Sequence, residues 1–346
     1  MDFPQLVPNL DLHINHRYWA EALSHSFTLL SMADPGEVIC ITGPSRIGKS
    51  RLIKELSNLL TDPSLNNDYK TVLTVRAANT GPNGTFSSKA FMFRALQNLD
   101  HPIFSDSQTG FVPTWFETKY SRTPESIFRH ALEEALNRRK TRFLVIDEAQ
   151  HVRYVGRDIM ASSAVMDSWK CLAEDTGVVL VVVGAYPILD ILQASPHMIG
   201  RKSQVHLPRY GVDFAELEEF AWMVSHFDDL IVRDSSLSSF TDSLELLHKG
   251  SQGCIGLLKA WMKRVCAYSI NTQKPVTKVT LEQQALSTND WTQIAKEIER
   301  GERNLQKDLD SKRNALTSTS RRNKPKNKPF QRAPKRAKEG NRGGGQ

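Results

Sequence analysis

Five short apolar runs, separated by stretches with helical period, set the plan of the first two thirds of the chain. Val38–Thr42 (VICIT), Lys70–Arg76 (KTVLTVR), Arg142–Ile146 (RFLVI), Val178–Val183 and residues 203–207 read as strands. Between them lie helical segments. His16–Met32 carries Tyr18, Trp19, Leu23, Phe27 and Leu30, and Lys49–Leu60 carries Leu52, Ile53, Leu56 and Leu59 on one side. Further helices are expected from Ser87 or Ser88 to about Leu99, from Thr123 to about Lys140, within 153–173, and over Ile188–Gln193. Thr123 is the expected N-cap of its helix, with Pro124 at the first helical position. Strands alternating with helices imply an α/β fold: a parallel sheet with helices on both faces.

From Pro208 the pattern turns helical. Ala215–Val224, Ser236–His248, Ile255–Ser269, Lys278–Leu286 and Trp291–Asp310 read as a small helical lid and C-terminal helices. The expected layout is an N-terminal arm and helix over 1–35, an α/β domain over 36–207, the helical lid over 208–310, and a disordered basic tail over 311–346. Residues 100–121 are irregular and aromatic (Phe104, Phe111, Trp115, Phe116) and read as a surface insertion.

Charge sharpens this division. The 346 residues carry a net charge of +7, but residues 312–346 hold 12 Lys/Arg and one acid, Glu339. Residues 1–311 hold 33 Lys/Arg against 37 Asp/Glu, so the body is slightly acidic. The tail lacks apolar periodicity and cannot bury enough surface to order itself. No apolar run approaches the roughly 20 residues of a membrane helix, and the start, MDFPQLVPNLDLHINHRYW, lacks a signal-peptide layout. Cys40, Cys171, Cys254 and Cys266 are scattered, which suits a reducing, cytoplasmic setting. His13, His16 and His25 have no metal-ligand spacing.

The chemistry is concentrated in GPSRIGKS, Gly43–Ser50, which fits the phosphate-loop pattern G-x-x-x-x-G-K-[ST] between a strand and a helix. Backbone N–H groups of such a loop converge on anionic oxygens, and the helix N-terminus adds its dipole. The cradle is expected to comprise Gly43, Pro44, Ser45, Arg46, Ile47, Gly48, Lys49, Ser50 and Arg51. Lys49 would reach the β- and γ-phosphates of ATP, and Ser50 would hold Mg²⁺. The third strand delivers Asp147-Glu148 at its C-terminal end, where ligands gather in open α/β sheets. Asp147 is the expected second Mg²⁺ ligand, and Glu148 is placed to orient or deprotonate water.

A phosphate loop, a strand ending in Asp-Glu about 100 residues on, and a helical lid together resemble an AAA+ ATPase. VICITGPSRIGKSRLIKEL, FLVIDEAQHV, VVLVVVGAYPILDIL and GSQGCIGLLKAWMKRV, spanning roughly 36–268, resemble the TniB/TnsC family of transposition ATPases. The resemblance implies ATP-dependent assembly on double-stranded DNA, self-association into a ring or filament, and bridging of a target-selector protein to the transposase. It assigns Lys49 and Glu148 to catalysis, Ser50 and Asp147 to Mg²⁺, and Gln150 to sensing the γ-phosphate, with helix capping or packing as the other role for Gln150 and His151. Arg201, just before the fifth strand, stands where an arginine finger from a neighbouring subunit often lies, or is a solvated surface Arg. The chain departs from the family at Ala185, where a polar sensor is common, and in the lid, where the nearest cation to the expected arginine is Lys259.

The tail would bind DNA without sequence preference by releasing counterions, or serve as a solubilising or address segment. Arg76 and Lys89, flanking the loop after the second strand, would line a DNA channel. The rival readings are a protein-remodelling or signalling ATPase whose body never touches DNA, and a nucleotide-binding scaffold with little turnover.

Overall fold

The computed structural model of the chain describes residues 14–318, except 63, 65–67, 82–83, 105–121, 157 and 196–201. Five parallel strands form one sheet: β1 (Val38–Thr42), β2 (Val72–Arg76), β3 (Phe143–Asp147), β4 (Val179–Gly184) and β5 (Lys202–His206). Their order across the sheet is β2-β3-β4-β1-β5. The inner strands β1 and β4 are buried at every position, which is why they read as unbroken apolar runs rather than alternations. The edge strand β2 alternates, with Leu73 and Val75 buried and Thr74 and Arg76 exposed. The other edge, β5, is mostly polar, which discourages pairing with a further strand.

Helices flank the sheet. α1 (Arg17–Met32) packs on α2 (Lys49–Leu60) and on β1 and β5. α3 (Ser88–Asn98) starts at Ser87, whose hydroxyl accepts the Ala90 N–H at 3.2 Å, and packs on β2 and α4 (Glu125–Arg138). Phe93 and Phe104 both meet Phe128 there, with ring centroids 6.1 and 5.2 Å away. α5 (Ile159–Thr176) is capped by Asp158 and ends at Gly177 in a left-handed conformation (φ 71°). α6 (Pro187–Ala194) follows β4 directly.

The C-terminal helices are α7 (Phe214–Ser225), α8 (Leu244–Ser251), α9 (Ile255–Thr272), α10 (Lys278–Gln283) and α11 (Thr288–Ser318). Phe220, Phe227, Phe240, Leu258 and Trp261 form a core that also takes in Tyr210 and Ile14, from the segment before α1. The Trp261 indole N–H donates to Leu281 O at 2.9 Å. At Gly250 a Cβ would stand 2.3 Å from the Trp261 ring, so only glycine lets α8 approach α9 this closely.

Several boundaries differ from the sequence expectation, each for a local reason. Thr123 is not the cap of α4. Pro124 takes that place with ψ 146°, outside the helical range, and the first helical residue is Glu125, with no side-chain cap. The helix expected over 236–248 begins later. Ser239 and Asp242 form a capping box, a 3-10 turn spans Phe240–Ser243, and only then does α8 begin. β2 starts at Val72 because the Lys70 N–H is drawn to Arg139 O (2.9 Å), outside the ladder. α11 runs to Ser318, so residues 311–318 continue a helix where composition predicted no order. Extending an existing helix needs only one more backbone bond per residue, without a new nucleus.

Residues up to Glu302 make one compact unit, and a second unit begins at Arg303, within α11. The arm before residue 14, most of the aromatic insertion and the tail beyond 318 lie outside the described residues. No helix among the described residues is long and apolar enough to cross a membrane.

Candidate nucleotide site

The C-terminal edge of the sheet gathers the expected site residues. β1 ends at Thr42, in register with Gly184 at the end of β4, and Ile146 of β3 is in register with Val182 of β4. The loop after β1 and the Asp147-Glu148 pair after β3 therefore flank the end of β4. The Gly43–Ser50 loop turns through Arg46 (φ 60°) and Gly48 (φ 118°), both left-handed, and enters α2 at Lys49. At Gly43 a Cβ would come within 2.4 Å of Leu207 O, so the loop needs glycine where it passes the end of β5. Ile47 is buried and anchors the loop, while Arg46 and Arg51 are exposed.

Lys49 is only 8% exposed, and its ammonium donates to Gly43 O (3.0 Å) and Pro44 O (2.7 Å), folding back onto its own loop. Burial pushes its pKa down from the usual lysine range, while the carboxylates of Glu148, Glu297 and Asp147 push it back up. The Ser50 hydroxyl donates to Asp147 Oδ2 at 3.2 Å, bringing the two expected Mg²⁺ ligands together across 97 residues of sequence. Burial pushes the Asp147 carboxyl above the ordinary carboxylate range, and the neighbouring Glu148 adds to the rise. The Glu148 N–H bond to Asp147 Oδ1 (2.9 Å), the Ser50 bond and the charge of Lys49 oppose it. A hard dication beside Asp147 and Ser50 would relieve that cost, so the donor set fits Mg²⁺ with a nucleotide phosphate.

Glu148 stands in a left-handed backbone conformation (φ 55°) that opens a 3-10 turn over Ala149–Tyr154. Gln150 fixes it there. Its Nε2 donates to Glu148 Oε2 (2.5 Å), and its Oε1 accepts the Ala185 N–H (3.1 Å) just beyond β4. Gln150 thus links Glu148 to the Ala185 backbone, 35 residues on. His151 Nδ1 lies 2.8 Å from Ala77 O and ties the turn to the end of β2. The buried Tyr186 hydroxyl is 3.0 Å from His206 Nε2. Burial pushes the tyrosine pKa up and the histidine pKa down, which keeps both neutral.

Two residues that were not singled out from the sequence also reach this edge. Arg209 holds Glu302 with both arms of its fork, at 2.7 and 3.0 Å. Glu297 accepts a hydrogen bond from the Ser45 hydroxyl at 3.0 Å. The single sequence cue for Arg209 is its place at the α/β-to-helical junction, and Glu297 has none. Arg201 lies outside the described residues. Lys259, on α9, is partly buried. Lys89 sits 5.7 Å from the Phe128 ring centroid, while Arg76 is exposed and its carbonyl accepts from Arg94 Nη1 at 2.8 Å.

This arrangement has a counterpart among known families. Residues 33–192 match the AAA domain family. The matched stretch holds the phosphate loop, Asp147-Glu148, Gln150 and Ala185. The fold is the AAA+ P-loop fold, and the domain match supports ATPase activity. Distant likenesses occur among solved structures. A Walker-type ATPase of Pyrococcus abyssi has a TM-score of 0.48 and 14% identity, over 88% of this chain and 79% of that one. Cdc6p from Pyrobaculum aerophilum has a TM-score of 0.49 and 17% identity, over 78% and 65%. Domain III of the Thermotoga maritima replication initiation protein DnaA has a TM-score of 0.46 and 13% identity, over 83% and 97%. No curated protein matches the sequence.

Proposed function

We propose that the chain is a cytoplasmic ATP-dependent regulator of transposition that assembles on duplex DNA and links a target selector to the transposase. The observation that carries its nucleotide half is the convergence of Lys49, Ser50, Asp147 and Glu148 at one sheet edge. In this reading the loop N–H groups and Lys49 would hold the ATP phosphates, and Ser50 and Asp147 would hold Mg²⁺, which would neutralise phosphate charge. Glu148 orients and deprotonates the attacking water, and Gln150 holds Glu148 and reports on the γ-phosphate to the end of β4. Arg201 completes the site of a neighbouring subunit, so hydrolysis depends on assembly.

Support for the DNA half comes from charge. The 12 Lys/Arg of residues 312–346 supply a sequence-independent attraction to phosphates. On the folded body the neighbouring Arg76 and Arg94 guanidiniums add positive charge beside the loop after β2. Burial, then the charge of Arg76, lowers the Arg94 pKa. The transposition role itself rests on the motif resemblance.

Electron microscopy of the full chain with duplex DNA tests this reading, comparing a slowly hydrolysed ATP analogue with no nucleotide. Nucleotide-dependent rings or filaments on DNA are the expected result. Monomers off DNA under both conditions would overturn the DNA assignment and leave a remodelling or signalling ATPase.

A further inference from the structure

The first half of α11 lies across the nucleotide site, and ATP hydrolysis by itself gives no reason for it to be there. One face of the helix makes contact at several levels. The Trp291 indole N–H donates to Lys249 O at 2.9 Å, next to the end of α8. Glu297 takes the Ser45 hydroxyl of the phosphate loop, and Ile298 is buried with 1% exposure. At Gly301 a Cβ would stand 2.0 Å from the Tyr186 ring, so the helix backbone rests directly on the residue that follows Ala185. Glu302 receives the Arg209 fork, and Arg300 pairs with Asp190 on α6 at 2.7 Å. The spacing from 291 through 297 and 298 to 301 and 302 is that of one helical face. That face touches the phosphate loop, Tyr186 just beyond β4, and the end of α8.

The chemistry of Glu297 gives these contacts a meaning. Ser45 belongs to a loop whose polar groups serve anionic oxygens. Glu297 is an anionic oxygen acceptor at that loop, 3.0 Å from the Ser45 hydroxyl that donates to it. A nucleotide phosphate brings negative charge and acceptor oxygens to the same groups. The two anions cannot share Ser45 without mutual repulsion in a partly desolvated site.

We infer that α11 is an autoinhibitory latch in which the Glu297 carboxylate stands in for a nucleotide phosphate at the loop, and that ATP binding displaces it. The inference rests on the ATP-site reading and adds its regulation. Coupling of this kind is reciprocal: the factor by which the latch weakens ATP binding is the factor by which ATP weakens the latch. Residues 319–346, which carry most of the basic charge of the tail, follow α11 in sequence.

The test uses the full chain as wild type, Glu297→Ala and Glu302→Ala. Titration with a fluorescent ATP analogue and Mg²⁺ gives the affinities, and hydrogen exchange of 291–302 with and without the analogue follows the helix. Glu297→Ala is expected to tighten analogue binding by about fivefold or more. Glu302→Ala, which loosens the same helix away from the loop, is expected to shift it in the same direction, and saturating analogue is expected to speed exchange in wild-type α11. Analogue binding that ignores both substitutions, with α11 exchange unchanged at saturation, overturns the latch and leaves the ATP site standing. Absence of analogue binding in wild type and both variants overturns the ATP reading and the latch together.

Discussion

Gln150→Leu separates the chemistry of the site from its packing. Leu is similar in size but makes neither of the two Gln150 hydrogen bonds. The first loss is the acceptor for the Ala185 N–H, at a residue that is buried. An unpaired buried N–H costs about 1–3 kcal/mol of stability, which lowers the melting temperature by a few degrees in a unit of this size. The second loss is the 2.5 Å bond that holds Glu148. A hydrogen bond to a charged group contributes about 1.5–3 kcal/mol. If it is expressed fully in orienting Glu148 toward water, it converts to a rate loss of about 10- to 150-fold. The assay is steady-state ATP hydrolysis beside analogue binding and a thermal melt. The expected result is a fall in kcat of that size, with analogue affinity little changed, because Gln150 holds the carboxylate rather than the phosphates. An unchanged kcat with a lowered melting temperature would make Gln150 structural. A raised kcat would mean that the bond holds Glu148 back from the water. Either result refutes the reasoning.

Three further outcomes are expected. Lys49→Ala removes the ammonium at the phosphates, and nucleotide-dependent assembly should disappear in sedimentation with DNA; assembly at wild-type nucleotide concentrations would remove Lys49 from the site. Asp147→Asn should abolish Mg²⁺-dependent hydrolysis yet raise the metal-free melting temperature at neutral pH. The folded Asp147 pKa is raised, so stability is greatest while the group is protonated, below its unfolded value of about 3.9, and falls as pH climbs through the folded value. The gain from Asn should therefore vanish below about pH 4, and a gain that grew in acid would contradict the stated cause. Trp261→Ala empties the core around α9 and should cost about 3–5 kcal/mol in urea unfolding; a loss under about 1 kcal/mol would mean that the core collapses into the space.

Local chemistry was legible in the sequence, and long-range contact was not. The β1–loop–α2 unit was readable because its apolar run, glycines and amphipathic helix all specify one local structure, and Val38–Thr42 and Lys49–Leu60 are found with those bounds. Thr123 misled because its residue type suits an N-cap, whereas the conformation of Pro124 decides where α4 starts. The order of the strands, which sets β4 between the phosphate loop and Asp147, comes from tertiary packing and leaves no mark in any one segment. That order is why Gln150 can reach the Ala185 N–H. Glu297 was invisible for the same reason. It lies 252 residues from Ser45, on a helix whose acids would ordinarily face water.

Single-turnover hydrolysis of ATP by wild type and Glu148→Gln, with analogue binding measured on the same samples, tests the central claim most directly. The account expects Glu148→Gln to bind nucleotide and Mg²⁺ as wild type does, to lose at least about 100-fold in the rate of cleavage, and to remain locked in its nucleotide-bound assembly. Normal cleavage by Glu148→Gln would contradict it, because the carboxylate at the end of β3 would then not be the group that activates water.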